Sequence, residues 1–314
     1  IDSQIRTGNN YNYITEANGV DWRASNSNVR LVSADGITFG YVANGYSNGA
    51  HTIAADKKTN VVRNITMDNS GLGDEIAIRS GDVAIKNYSN AAGSDVNVRE
   101  TYIKADKLFN NTINGVTNAS QGGEYGDVLI LGTGDINIEK SRIETANTEL
   151  NGKTTNAQAG GEIQIVSYGN TKIEDSLIKS AKVDKANFVD TKYIQNNGGK
   201  NPSSEVKITS ELGQVDITGS RIISEENASV TGSDGVNFTD SLLSAKNSID
   251  GGARNVNITS YGNNININDG AIQGKDITLE AYNNNINITS SSDSVNYASG
   301  DVVNGQNKSL LKAQ

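Results

Sequence analysis

The chain has 314 residues, is 35% hydrophobic and 5% aromatic, and holds 33 Gly, a single Pro and no Cys. A net charge of −9, with no run of Lys and Arg anywhere, argues against nucleic acid and anionic membrane surfaces as partners. Lack of cysteine excludes disulfides, thiolate metal sites and thiol nucleophiles.

Along the chain, residues 1–27 contain the only Trp and two Tyr (Tyr11 and Tyr13) without clear alternation. The segment NVRLVSADGITFG (28–40) fits a first and a second strand. We read residues 1–72 as early, irregular coils of one rod spanning 1–314. Clear repeats occupy 73–290 and a terminal segment 291–314, and no Pro-rich or Ser-rich linker marks a boundary. No apolar run approaches the length of a membrane helix.

The repeat is set out by GEIQIVSYGNTKIEDSLIKSA (161–181) and NVNITSYGNNININDGAIQG (255–274). Alternation at period two predicts short strands, each with one face inward. From second to third strand the key apolar residues lie five apart: Val98 and Ile103, Ile138 and Ile143, Ile173 and Ile178, Ile217 and Ile222, Phe238 and Leu243, Ile267 and Ile272. Two positions before the later member stands Thr101, Ser141, Ser176, Ser220, Ser241 or Gly270, residues suited to a tight bend. From first to second strand the step is eight or nine, as in Leu31 to Phe39 and Ile258 to Ile267. From third strand to the next first strand the gap varies widely. Fixed steps at two corners and a free one at the third predict an all-β, right-handed parallel β-helix. It has three short strands per coil of about 20 residues and insertion loops at one corner. Such a narrow bore fits small aliphatics and excludes bulky aromatics. It also explains the low apolar content, and roughly 11–12 coils are expected at about 4.8 Å each.

The phrases GDVLILGTGDINIEKSRIETA (126–146) and SEVKITSELGQVDITGSRIIS (204–224) resemble the coils of filamentous-haemagglutinin-type exoproteins. The matching positions include Gly126, Val128, Ile130, Gly134, Ile136, Ile138, Ser141 and Ile143. The resemblance covers about residues 73–290. It implies a secreted or surface protein of a Gram-negative bacterium, exported through an outer-membrane transporter by a two-partner or autotransporter route. Such proteins serve adhesion, aggregation or toxin display. No Asn-Pro-Asn secretion signature or toxin-delivery motif is present, the only Pro being Pro202.

Several residues admit a functional and a structural reading. Tyr168, Tyr261 and Tyr282, with Tyr88, each follow a first strand by the same offset. They form either a sugar-stacking stripe or, as we read them, a corner ladder with Asn263 and Asn283. Glu100, Glu139, Asp175, Asp240 and Asp269 gather at the second-to-third bend. A calcium column or paired glycosidase carboxylates would use such residues, but so would solvated turns, which is our reading, interrupted by Lys140 and Gly219. His51 lacks a Gly-x-Ser-x-Gly elbow, and AADKK (54–58) is the nearest approach to a lyase-like cluster. Sequons begin at Asn64, Asn110, Asn118, Asn227, Asn237, Asn257 and Asn287, in a repeat that spells its strands NIT. The segments 104–125, 145–159 and 181–204 leave the variable corner and should form one face, either binding through apolar points at Phe109, Phe188 and Tyr193 or, equally, merely covering the rod.

The expected function is therefore a non-enzymatic surface rod that uses no metal or cofactor and binds a cell-surface glycan or protein receptor through its loops. One alternative is a self-assembling extracellular filament, copies joining end to end. Another is a carbohydrate-active enzyme using Asp56 or Lys57.

Overall fold

A strand of four or five residues cannot stand alone; it persists when a copy of itself pairs along each edge. The computed structural model describes the strands between Tyr11 and Asn87. It then describes residues 94–107, 127–147, 161–181, 204–248, 251–282 and 284–290, with short strands at 112–113, 116–117, 297–298, 302–303 and 310–313. The architecture is a parallel β-helix. Three parallel sheets of nine, nine and eight strands run along the stack. Coil 1 supplies Val29–Ser33 and Ile37–Phe39. Coil 2 supplies Ala50–Ala55, Ile65–Asp68 and Ile76–Ser80, and coil 3 Asp82–Asn87, Val96–Arg99 and Tyr102–Lys107. Coil 4 is Val128–Gly132, Ile136–Glu139 and Arg142–Asn147; coil 5 is Ile163–Ser167, Thr171–Glu174 and Leu177–Lys179. Coils 6 to 8 open with Val206–Ser210, Ala228–Gly232 and Val256–Ser260, and coil 9 with Ile277–Ala281.

Pairing keeps register from coil to coil, apart from one shift between Tyr102 and Ile103 where that strand meets Ile76–Ser80, so like side chains stack. Val83, Val128, Ile163, Val206, Ala228 and Val256 form one inward column, and Val98, Ile138, Ile173, Ile217, Phe238 and Ile267 another. Each of these side chains is buried. Burying one Ile or Val this way contributes about 1.5–3 kcal/mol. Among the described residues the bore admits an aromatic, against expectation: Phe238 is fully buried. Ala228 and Ala245 in its own coil, and Gly270 beside its Cβ, supply the missing volume.

The described strands form nine coils where 11–12 are expected, a stack roughly 40 Å long at about 4.8 Å per rung. Part of the difference lies at the N-terminus, where Tyr11–Glu16 and Gly19–Ala24 pair antiparallel as a separate two-stranded sheet. The rest is taken up by connections. Residues 108–127, 148–162 and 180–205 all leave the third-to-first corner, as expected. The other corners are less uniform than the middle coils imply. Residues 56–64 and 88–95 lengthen the first-to-second corner of coils 2 and 3. Residues 69–75 and 290–309 lengthen the second-to-third corner of coils 2 and 9, where Leu310–Ala313 closes the third sheet.

The invariant step of five comes from a two-residue bend. Glu100, Lys140, Asp175, Asp240 and Asp269 have φ of 46°, 45°, 47°, 49° and 51°, and Gly219 has 58°. This left-handed turn is one that Asp and Gly tolerate and a long side chain takes at a cost of about 1–2 kcal/mol. The next residue is the small hydroxyl one in five of the six, and Gly270 after Asp269. The hydroxyl Oγ donates to the carbonyl two residues back, as in Ser141 to Glu139 (2.7 Å) and Ser220 to Thr218 (2.8 Å). The same oxygen accepts a backbone N–H from the coil before: Thr101 to Ser141 (3.1 Å), Ser141 to Ser176 (3.0 Å), Ser176 to Ser220 (3.0 Å), Ser220 to Ser241 (3.1 Å). All five hydroxyl residues are buried. They form a polar ladder inside the bend, carrying inter-coil bonding through a corner where no strand exists.

Ser220→Ala should therefore destabilise the protein by about 1–3 kcal/mol, since the buried Ser176 N–H loses its acceptor. Lys140→Gly should raise stability by up to about 1 kcal/mol, because relief of the left-handed strain outweighs the added chain entropy. Urea denaturation followed by circular dichroism measures both, and equal midpoints for all three proteins would contradict this account of the bend.

Candidate functional site

All three corners carry features singled out in the sequence. At the third-to-first corner, the three long connections depart from consecutive rungs. Lys107 pairs with Asn147 on the departing side; Val128, Ile163 and Val206 are successive rungs on the returning side. The first connection holds a small antiparallel pair, Thr112–Ile113 with Val116–Thr117. Phe109, Phe188 and Tyr193 belong to these connections and lie outside the described residues, as do Asp56 and Lys57.

The base of this corner is a lattice of buried hydroxyls. Thr145 Oγ1 donates to Gly161 O (2.7 Å) and accepts from Ala181 N (2.7 Å). Ser180 Oγ donates to Ser204 O (2.6 Å) and accepts from Glu225 N (2.9 Å), while Ser204 Oγ accepts from Gly161 N (3.2 Å). Two buried carboxylates complete it: Glu226 accepts from Ser204 N (3.2 Å) and Glu225 from Ser248 N (2.6 Å). The connections 148–162 and 180–205 thus start and end on atoms fixed by neighbouring coils. Nothing in the residue types announces this lattice, because each Ser or Thr reads equally well as a loop residue.

The first-to-second corner is tight in coils 4 to 9 and exposes aromatics. Tyr261 and Tyr282 stack, with centroids 5.3 Å apart and planes at 14°, and Tyr282 Oη donates to Glu280 (3.2 Å). Tyr168 is half exposed beside the more exposed Leu212, whose N–H donates to the Tyr168 carbonyl. Glu211 and Ser233 hold the corner in the two coils between Tyr168 and Tyr261, so Tyr168 does not join the stacked pair. The expected ladder is a single pair plus an isolated ring. Tyr88 and Asn283 lie outside the described residues, and Asn263 bonds the adjacent Asn264 N–H (2.8 Å) instead of another coil.

What holds this corner is an Asx column. Asp95 Oδ1 accepts from Asp135 N (2.9 Å), Asp135 from Asn170 N (2.7 Å) and Asn170 from Gln214 N (3.0 Å). Each of these oxygens fills the space a side chain would take in the next coil: a Cβ on Gly169 would lie 2.1 Å from Asp135 Oδ1, and one on Gly213 2.5 Å from Asn170 Oδ1. The Gly-Asp and Gly-Asn pairs of the repeat are its signature.

At the second-to-third bend, the position expected for Glu139 belongs to Lys140, because the left-handed residue follows the strand end. Glu139 instead ends the strand Ile136–Glu139 and faces Arg99 (3.6 Å) and Lys140 (3.4 Å). Among the described residues, no group of three or more His, Asp or Glu is placed to hold a metal ion. His51 sits in Ala50–Ala55, in register with Val29 and Val83.

The sequence reading missed an amide ladder on the outer face of the second sheet. Asn137 donates to Asn97 (2.9 Å), Asn287 to Asn266 (2.7 Å), Asn266 to Asn237 (2.7 Å) and Asn237 to Asp216 (2.5 Å). The signal was present as Asn, or Asp in coil 6, between the two apolar residues of these second strands. Asn237 and Asn287 are also sequon residues, and their side chains are engaged here.

The chain matches no protein-family model, no curated protein and no solved structure.

Gly169→Ala should lower stability by about 1–3 kcal/mol, the range for overpacking a filled site, as read by thermal unfolding. The phenol of Tyr282 is held above its ordinary pKa, first by the Glu280 charge, then by the hydrogen bond to that carboxylate. Glu280→Gln should lower it, and an unshifted phenolate titration by ultraviolet absorbance would contradict the pairing.

Proposed function

We propose that the protein is a non-enzymatic surface rod, an adhesin-like scaffold on which three neighbouring connections form one receptor-binding face. The observation carrying this reading is that residues 108–127, 148–162 and 180–205 leave and rejoin the stack at consecutive rungs of one corner. Parallel rungs lie about 4.8 Å apart, so the three segments leave and return at adjacent rungs. Variable loops on a rigid mount are the usual place for recognition, and the buried Thr145, Ser180 and Ser204 lattice provides the mount.

The resemblance of residues 126–146 and 204–224 to filamentous-haemagglutinin-type coils supports the same reading. On that reading the rod is exported to the surface of a Gram-negative cell, with a glycan or protein receptor as partner. The acidic net charge of −9 favours a neutral or basic receptor over a sulfated or phosphorylated one.

The direct test is binding of the purified protein to intact cells and to a glycan array. Replacing 182–203 by a short turn spares the described base residues Ser180, Ala181 and Ser204. It should leave the β-sheet circular dichroism unchanged and reduce binding at least about tenfold, as expected when a binding hot spot is lost. Full binding by that variant, and by variants similarly shortened in 108–127 and 148–160, would remove this corner from consideration.

A further inference from the structure

The outer faces of the three sheets differ in how their cations are partnered. On the first and second sheets Lys207 lies 2.7 Å from Glu162, Lys172 2.8 Å from Glu174 and Arg99 3.6 Å from Glu139. On the third sheet each of coils 3 to 6 turns one cation outward: Lys104, Arg142, Lys179 and, in Arg221–Ser224, Arg221. Arg142 and Arg221 are exposed, Lys104 and Lys179 half-buried. Glu144, the one carboxylate on these rungs, is buried and held by Arg142 (2.9 Å) and the Tyr102 hydroxyl (2.7 Å). Lys179 and Arg221 meet no carboxylate among the described residues.

Register sets these charges in two columns, Lys104 and Lys179 in one, Arg142 and Arg221 in the other. Successive rungs, about 4.8 Å apart, therefore carry their cation alternately on the left and on the right. The opposite position on the rungs of coils 3, 5 and 6 is Tyr102, Leu177 or Ile223, so a cation stands beside an aromatic or apolar side chain. The pattern stops after coil 6, where Leu242 and Ser244, next in the two columns, are buried. Charge and spacing together select a ligand class. A linear β-linked polyuronate is a flat ribbon in which each sugar is turned over relative to the last. It advances by nearly one rung per sugar and presents its carboxylates on alternate edges. Laid along the rod, it brings a carboxylate to each cation and the C–H faces of its sugars to Leu177 and Ile223.

We infer that the outer face of the third sheet in coils 3 to 6 binds an acidic polysaccharide, a polyuronate chain running along the rod with one sugar per coil. The strip is a positive island on a chain of net charge −9. Repulsion of a polyanion by the rest of the surface acts at long range and is screened by salt, whereas pairing at contact persists. A neutral glycan offers Lys179 and Arg221 no counter-charge. This inference is independent of the receptor-binding reading, since it involves a sheet face and not the loops of the third-to-first corner.

The test is binding of the full chain to immobilised polymannuronate at physiological ionic strength, beside the carboxyl-reduced, neutral form of the same polymer. Wild type should bind the acidic polymer and not the neutral one. Lys179→Glu/Arg221→Glu should bind at least about tenfold more weakly with unchanged circular dichroism. Lys86→Glu/Lys275→Glu makes the same change in net charge at cations outside the strip, one in Asp82–Asn87 and one after Ala271–Gly274. It should bind within about twofold of wild type. If the circular dichroism of the strip variant differs, Lys179→Gln/Arg221→Gln replaces it. A wild type that does not bind, equal binding of the neutral polymer, equal losses in the two double variants, or a folded strip variant that binds like wild type would each overturn the inference.

Discussion

Everything in this structure depends on parallel backbone pairing between successive coils at constant register. No described strand exceeds six residues, and each contributes too few hydrogen bonds and too little apolar surface to persist alone. Register turns that weakness into repetition. Ile138 lies between Val98 and Ile173, Ile173 between Ile138 and Ile217, so each side chain is packed by near-copies of itself. Because each coil adds only a few inward side chains and the core extends only along the stack, the protein needs few aromatics, and a Phe at 238 requires Ala and Gly around it.

Corners are the harder physical problem, since the chain must turn without losing inter-coil bonds. The three corners solve it differently. The second-to-third bend uses a left-handed residue followed by a hydroxyl that bridges two coils. The first-to-second corner uses an Asx oxygen that accepts from the next coil and occupies the place of a missing Cβ. The third-to-first corner uses a hydroxyl lattice. Where these devices are in place the step is short and constant; where the chain departs from them, connections of other lengths appear, including at the two outer corners of coils 2, 3 and 9.

The same division separates scaffold from surface. Buried ladders hold the rod, and what differs from coil to coil is carried outside them. The stacked Tyr261 and Tyr282, the Tyr168–Leu212 spot and the long connections of coils 3 to 5 are all additions to a frame that would stand without them. Surface ion pairs such as Lys172–Glu174 at 2.8 Å decorate that frame and add little to its stability.

The coil itself was legible from the sequence, because alternation at period two and a step of five between Ile138 and Ile143 or Ile217 and Ile222 are direct imprints of strand geometry. The bend was legible too, through Asp, Gly and Ser, whose small size and polar oxygens are chemically suited to it. Coil number was not, since a sequence does not distinguish residues that advance the stack from residues that leave it, and the Tyr11–Ala24 hairpin illustrates the point. Nor was the fate of individual side chains. Whether Tyr168 meets another tyrosine depends on what the two intervening coils place at that corner. Local pattern determines what a residue can pair with; only the stacking order of the coils decides which partner it meets.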